Sequence, residues 1–138
     1  MPMQRELYPD DWDAIATAIK SAANWHCQEC GKPCLQPGED FSDLWERLQG
    51  TEWGEKLPEE EDLIELPFSE FKRLTKSLTA TFTLTVAHLN HVPSDCRAEN
   101  LRALCAPCHC RYDTHPTQRA IKRRLKQERL GQLPLELE

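Results

Sequence analysis

The chain has 138 residues, seven cysteines and a formal net charge of −6. This length suits one domain with a modest core, so we predict a single domain over residues 1–138. No apolar stretch approaches the roughly eighteen residues of a membrane span, and no apolar run follows a basic start as in a secretory signal. We therefore expect a cytoplasmic protein without a membrane partner, whose cysteines are metal ligands or reduced thiols instead of disulfides.

The acidic residues are concentrated in one window. Between Glu39 and Glu70 there are twelve acidic and two basic residues, a net charge of −10, so the rest of the chain carries +4. This contrast predicts an acidic insert over residues 38–80 within a mildly basic body. A protein partner that binds through this insert is one functional interpretation of its charge.

Helices are predicted in the first half of the chain. Apolar residues recur at helical spacing behind an acidic first turn in PDDWDAIATAIKSAANW, which indicates a helix over residues 10–23 with Asp10 as its cap. Short helices are predicted at 41–49 and 68–77 within the acidic insert. The acidic run at 59–62 is interpreted as a solvated segment.

A strand is predicted at residues 81–88, where Phe82, Leu84 and Val86 alternate with threonines. This alternation is the period of a half-buried strand that is rich in β-forming residues. A loop then leads to a helix that begins near Pro107.

The last predicted helix spans residues 116–131 and is strongly basic, with Gly131 and Pro134 at its end. Five of its cations are candidates for contacting DNA phosphates: Arg119, Lys122, Arg123, Arg124 and Lys126. Because such contacts go to the backbone, we expect DNA binding with little sequence preference.

Two Cys-x-x-Cys pairs give the strongest metal signal in the sequence. The four predicted ligands are Cys27, Cys30, Cys105 and Cys108. Four thiolates can close a tetrahedron around Zn²⁺, so we predict a structural zinc that ties two distant segments together. The remaining cysteines, Cys34, Cys96 and Cys110, are interpreted as small, partly buried thiols, with Cys34 as the one rival ligand.

Three histidines, two asparagines and the second cysteine pair fall within thirty residues, in LTVAHLNHVPSDCRAENLRALCAPCHCRYD. This segment resembles the HNH endonuclease family, because ENLRALCAPCH keeps the family's Asn-Leu, a five-residue step to cysteine, and Cys-x-x-Cys-His in order. The resemblance covers residues 27–30 and 81–113, about a quarter of the chain. It implies an α+β fold in which a zinc-stapled ββα-metal core carries flanking helices and the acidic insert.

The resemblance also implies roles for single residues. His88 would be the general base, Asn100 would brace the loop that holds it, and His109 would bind a catalytic Mg²⁺ or another divalent transition metal. Asp113, four residues after His109 on the same helix face, would be a second ligand of that ion.

One position departs from the family pattern. Ala87 stands where the family commonly has an aspartate or histidine that binds the metal. His91 could supply the missing ligand, water could fill the position, or His91 could be the base and His88 the ligand.

These features predict a divalent-metal-dependent DNA endonuclease that nicks or cleaves with weak sequence specificity. The alternative is a non-catalytic zinc module that binds nucleic acid or a protein partner, in which Ala87 marks a decayed metal site.

Overall fold

The computed structural model describes residues 5–131, in which helices accompany one two-stranded antiparallel sheet. The predicted α+β class is confirmed. The strands are β1 (Leu84–His88) and β2 (Leu101–Cys105). The helices are α1 (Trp12–Ala22), α2 (Phe41–Leu48), α3 (Glu60–Ile64), α4 (Phe68–Thr81), α5 (Ala106–Thr114) and α6 (Pro116–Gly131).

The first two helices lie where they were predicted, but one predicted cap is wrong. Asp11, not Asp10, precedes α1, and its side chain makes no capping hydrogen bond. At the start of α2, the Asp43 backbone N–H donates to the Asp40 carboxylate at 3.0 Å, and the Asp40 N–H donates to the Asp43 carboxylate at 3.2 Å. This reciprocal capping box satisfies two donors that the first turn would otherwise leave unpaired.

The strand predicted at 81–88 begins too early, because α4 continues to Thr81 and β1 starts at Leu84. The Thr83 hydroxyl donates back to the Thr79 carbonyl at 2.8 Å, as threonines near helix ends often do. Phe82 and Leu84 do not share one face of one strand. Leu84 packs in one buried cluster and Phe82 packs in another.

The residue patterns did not predict two further elements, α3 and β2. The acidic run is exposed, as interpreted, but it forms the short helix α3. Carboxylates in its first turn stabilise the helix, because they lie at the positive end of the helix dipole. Strand β2 was implied only by the family resemblance. It pairs with β1 in a register that sets Leu84 opposite Cys105 and His88 opposite Leu101.

The two faces of the sheet contact different helices, because successive strand side chains point to opposite sides. On one face, Val86 and His88 lie against α1, where Trp12 is buried. On the other face, Thr85 lies against His109 of α5. His88 is the last residue of β1, and its ring is near enough to those of His109 and His91 for both to act on it electrostatically.

Three clusters of buried residues support the fold in the described part of the chain, and one of them contains Trp12 and Ala16 of α1 with Leu101 of β2. The thiol-clipped core contains Cys27, Cys34, Leu84, Ala87, Ala103, Leu104, Cys105 and Cys108. The insert core contains Leu44, Leu48, Leu57 and Phe82. The two chain segments that enter and leave the insert meet, since the Leu35 backbone N–H donates to the Phe82 carbonyl at 2.9 Å.

The last two helices follow their predictions. α5 begins at Ala106 with Pro107 in its first turn, and α6 runs from Pro116 to Gly131, the last described residue. The predicted stop at Pro134 lies outside the described residues. Within residues 5–131, no helix is both long enough and apolar enough to cross a membrane.

Candidate functional site

The four predicted thiol ligands form one cluster. The sulfur atoms of Cys27, Cys30, Cys105 and Cys108 all lie within 4.8 Å of one another. The Cys30 and Cys105 sulfurs are 3.8 Å apart, which matches the edge of about 3.8 Å expected for a tetrahedron with zinc–sulfur bonds of about 2.3 Å. The predicted metal-binding cluster is thereby confirmed, and its donors suit a zinc ion.

Backbone hydrogen bonds fix the first cysteine pair against the sheet. The Cys27 N–H donates to the Lys32 carbonyl and the Gly31 N–H to the Cys27 carbonyl, both at 2.9 Å. Gly31 takes a φ of 78°, a left-handed conformation that glycine adopts without strain. Gln28 then joins this turn to β2, because its side-chain oxygen accepts the Ala103 N–H at 2.8 Å.

The cluster holds its thiols in unequal electrostatic environments. Burial opposes ionisation of Cys27, but backbone N–H groups, first that of Cys105, lower its pKa to about 6. Burial and the neighbouring sulfurs raise the pKa of Cys108 to about 12. A bound cation would favour the thiolate at all four positions, since a metal deprotonates coordinating thiols.

The other cysteines lie outside this cluster. Cys34, the rival ligand, is fully buried, and burial raises the pKa of its thiol to about 12, so it packs as a small apolar side chain. Cys96 is partly buried, as interpreted, whereas Cys110 is exposed, which corrects the prediction for that residue.

His88 lies beneath two aromatic rings. Its imidazole stacks on Trp12 with ring centres 4.8 Å apart, and Tyr8 meets it edge-on at 5.6 Å. The residue is 8% exposed. Burial lowers its pKa and so favours the neutral ring, while a hydrogen bond to the Pro93 backbone acts in the opposite direction. Its Nε2 lies 3.8 Å from the Cys96 sulfur.

Asn100 braces the loop that follows β1. Its side-chain amide donates to the Asn90 side-chain oxygen at 2.9 Å and to the Asp95 carbonyl at 2.8 Å. Its own oxygen accepts the Asn90 N–H at 3.1 Å. Asp95 is in turn paired with Arg97, which lowers the pKa of that carboxyl to about 2. Asn100 therefore sits where the family resemblance expects a loop brace.

A second polar group forms around Asp113 on α5, and we call it the Asp113 cluster: His91, His109 and Asp113. One carboxylate oxygen lies 3.8 Å from His91 Nδ1, and the other lies 3.4 Å from His109 Nε2. Within the described part of the chain, only the four-cysteine group brings three or more such ligand atoms within 4.8 Å of one another. Asp113 thus stands between the two histidines without closing a compact triad.

Neighbouring side chains orient these two histidines. Thr85 Oγ1 lies 2.8 Å from His109 Nδ1, so the other nitrogen of the His109 ring, Nε2, faces Asp113. Gln118 Oε1 lies 2.7 Å from His91 Nε2, and the Tyr112 ring packs beside His91 with centres 5.5 Å apart. Sequence reasoning missed Thr85, Tyr112 and Gln118. No local pattern marks them, because each reaches a histidine from a different element.

The strand position before His88 supplies no ligand. Ala87 is 1% exposed and packs within the thiol-clipped core. His91 instead reaches Asp113 from the loop, with a φ of 61° that few residues other than glycine adopt.

The predicted DNA-binding cations of α6 do not all point the same way. Arg119, Arg123, Arg124 and Lys126 are exposed. Lys122 is half-buried, and its ammonium lies 3.7 Å from Asp113 Oδ2. Burial lowers the pKa of His109. The Asp113 carboxylate raises this pKa and the Lys122 ammonium lowers it further, so the neutral ring is favoured.

No family model, curated protein or solved structure matches this chain. The functional interpretation therefore depends on the thiol cluster, the Asp113 cluster and the cationic helix beside them.

Proposed function

We propose that this chain is a divalent-metal-dependent HNH-type endonuclease that hydrolyses phosphodiester bonds in DNA. The observation that supports it most is the Asp113 cluster, in which one carboxylate lies between two histidines beside the cationic helix α6. In this proposal β1, β2 and α5 are the ββα-metal unit, and Zn²⁺ in the thiol cluster is its structural staple.

The donors of the Asp113 cluster suit one divalent ion. His91 and His109 offer imidazole nitrogens and Asp113 offers a carboxylate, a set that favours a transition metal such as Mn²⁺ over Mg²⁺. His91 would supply the ligand that Ala87 lacks, and water would complete the coordination. When bound, the ion would offset charge on the phosphorane and on the leaving oxygen.

His88 is proposed as the general base, and Asn100 as the residue that holds its loop. A neutral imidazole can take a proton from water at pH 7, and the resulting hydroxide attacks phosphorus as the bond to the leaving oxygen breaks. Because Trp12 and Tyr8 cover His88, this role requires that substrate or water reach its ring from the loop side. The exchanged assignment, with His91 as the base, remains open to test.

The exposed cations of α6 would bind the DNA backbone. Phosphate contacts carry no sequence information, so we expect nicking or weakly specific cleavage.

A non-catalytic zinc module is the second candidate function. It is favoured by the burial of His88 beneath aromatic rings and by Ala87 at the ligand position. A protein partner would have an accessible surface on the acidic insert, where Ile64 and Phe68 are each 74% exposed among carboxylates.

The decisive experiment measures cleavage of supercoiled plasmid by zinc-loaded protein during titrations of Mg²⁺, Mn²⁺, Co²⁺ and Ni²⁺. His88→Ala should reduce turnover by about 10²–10⁴-fold while zinc content and fold stay unchanged. His26→Ala is the matched control, because His26 is exposed and its ring bonds the Asn24 carbonyl, two residues away.

The same titration separates base from ligand. Asp113→Ala should regain activity at high metal concentration, because mass action refills a weakened site, whereas no metal replaces a missing base. If His91→Ala alone behaves as the base variant, the two histidines exchange roles. Wild-type protein that is folded and bound to DNA but never cleaves with any of the four ions would rule out the nuclease in favour of the binding module.

DNA binding is tested by reversing two charges on α6. Arg123→Glu with Arg124→Glu should weaken binding to all sequences alike and flatten its salt dependence in fluorescence anisotropy. Arg73→Glu with Lys76→Glu on α4 makes the same change in net charge at exposed positions of the insert. Equal losses from both pairs would indicate a general charge effect and not a binding helix.

A further inference from the structure

One cation of α6 points inward, toward the Asp113 cluster. Lys122 Nζ lies 3.7 Å from Asp113 Oδ2, the same oxygen that lies 3.4 Å from His109 Nε2. The Lys122 ammonium and the His109 ring therefore approach the same carboxylate oxygen, and the ammonium is near enough to act electrostatically on that ring. An ion that bound both this oxygen and His109 would lie close to the ammonium.

The inward orientation follows from the helix geometry. Residues four apart lie on one face of a helix, so Gln118 and Lys122 point the same way. Gln118 fixes that face, since its side-chain oxygen lies 2.7 Å from His91 Nε2. Arg119 and Arg123, next to them in sequence, are exposed.

A divalent ion and the Lys122 ammonium would repel each other at this separation. Two positive charges about 4 Å apart repel each other several times more strongly near a protein surface than in water, and a doubly charged ion increases the repulsion. The carboxylate can hold one of the two cations closely, but not both.

We infer that Lys122 is a resident counter-ion of Asp113, which a divalent metal displaces and which then binds a phosphate of the DNA strand. The inference rests on the proposed function for its metal site and for its DNA contact, but not on cleavage. Lysine suits such an exchange, because its ammonium is a point charge on a flexible four-carbon stem and binds phosphates without a fixed geometry.

The test is the Lys122→Met variant, which keeps an unbranched side chain but removes the charge. Isothermal titration of the zinc-loaded protein with Mn²⁺, without DNA, should show tighter binding, by up to about five-fold for an ion pair of this exposure. Anisotropy with the Mn²⁺-loaded protein should show weaker DNA binding. Zinc content is measured before and after, since thiolates prefer Zn²⁺ to Mn²⁺.

Lys126→Met is the matched control, one turn further along α6 and exposed. It should weaken DNA binding but leave Mn²⁺ affinity unchanged. Mn²⁺ binding that is weaker or unchanged in Lys122→Met, or absent from both wild type and variant, would overturn the inference. The readout is independent of cleavage: a wild type that binds Mn²⁺ but never cuts DNA would end the nuclease proposal while leaving the counter-ion role in place.

Discussion

Two of the buried cores of this protein, the thiol-clipped core and the insert core, differ in composition. The thiol-clipped core consists mainly of cysteines and alanines, whereas the insert core consists of leucines and Phe82, packed against partly buried Trp45 and Trp53. Small side chains bury little apolar area, and burial stabilises by only about 25 cal/mol per Å². We therefore expect the half that carries the candidate site to depend on a bound metal for its stability, and the acidic insert to depend on ordinary packing.

The largest expected effect separates the two cores by removing the metal. Chelation, or Cys105→Ser, should unfold β1, β2 and α5 while α2 and α4 persist, because structural zinc contributes about 10–16 kcal/mol in small domains. Amide NMR should show lost dispersion for residues 27–34 and 84–114, while the signals of α2 and α4 stay dispersed. Cys110→Ser, at an exposed thiol outside the cluster, should change nothing. Freshly purified, folded protein with less than about half a zinc per chain would contradict the expectation that the thiol-clipped core depends on zinc.

The next largest effect comes from a cavity in the insert core. Leu44 is fully buried, so Leu44→Ala should lower the free energy of unfolding by about 2–5 kcal/mol in urea titrations. Zinc content should stay at that of the wild type, because no cysteine ligand lies in this core. Ile64→Ala, at a side chain that is 74% exposed, is the control and should cost little. Loss of zinc in Leu44→Ala would show that the cores are not independent.

A smaller effect should follow from crowding the insert backbone. A Cβ atom at Gly54 would overlap the Leu48 carbonyl oxygen, and backbone cannot move aside as a side chain can. Gly54→Ala should therefore destabilise by about 1–3 kcal/mol in the same titrations. At Gly131 a Cβ would meet nothing within 4 Å, so Gly131→Ala serves as the reference. Equal stability of the two variants would mean that the turn near Gly54 relaxes freely.

The smallest expected effect is the loss of one helix cap. Asp40→Ala removes the acceptor for the Asp43 N–H and should cost about 1 kcal/mol, measured as a shift in the urea midpoint. Asp40→Asn keeps a capping side chain and should retain most of that stability. Both variants should leave the metal content unaltered.

Sequence reasoning worked where the signal is local. The paired cysteines were predictable because their spacing is specific to metal sites, and the helices because their apolar residues recur at the helical period. The start of β1 was misplaced because alternation cannot show that Phe82 and Leu84 enter different cores. The inward orientation of Lys122 was also beyond prediction, since cations nearly encircle α6 and give no preferred face.

The hydrogen bond between Leu35 and Phe82 has a consequence for protein engineering. Because the two ends of the insert lie side by side, the segment between them can be exchanged like a cassette without stretching the chain that carries the cysteines. Loop-closure entropy changes by only about 0.6 kcal/mol for each doubling of length, so cassettes of very different size should be tolerated. Replacing this segment with a tight turn of a few residues would give a shortened protein. Replacing it with a fluorescent domain between the same two residues would give a tagged protein.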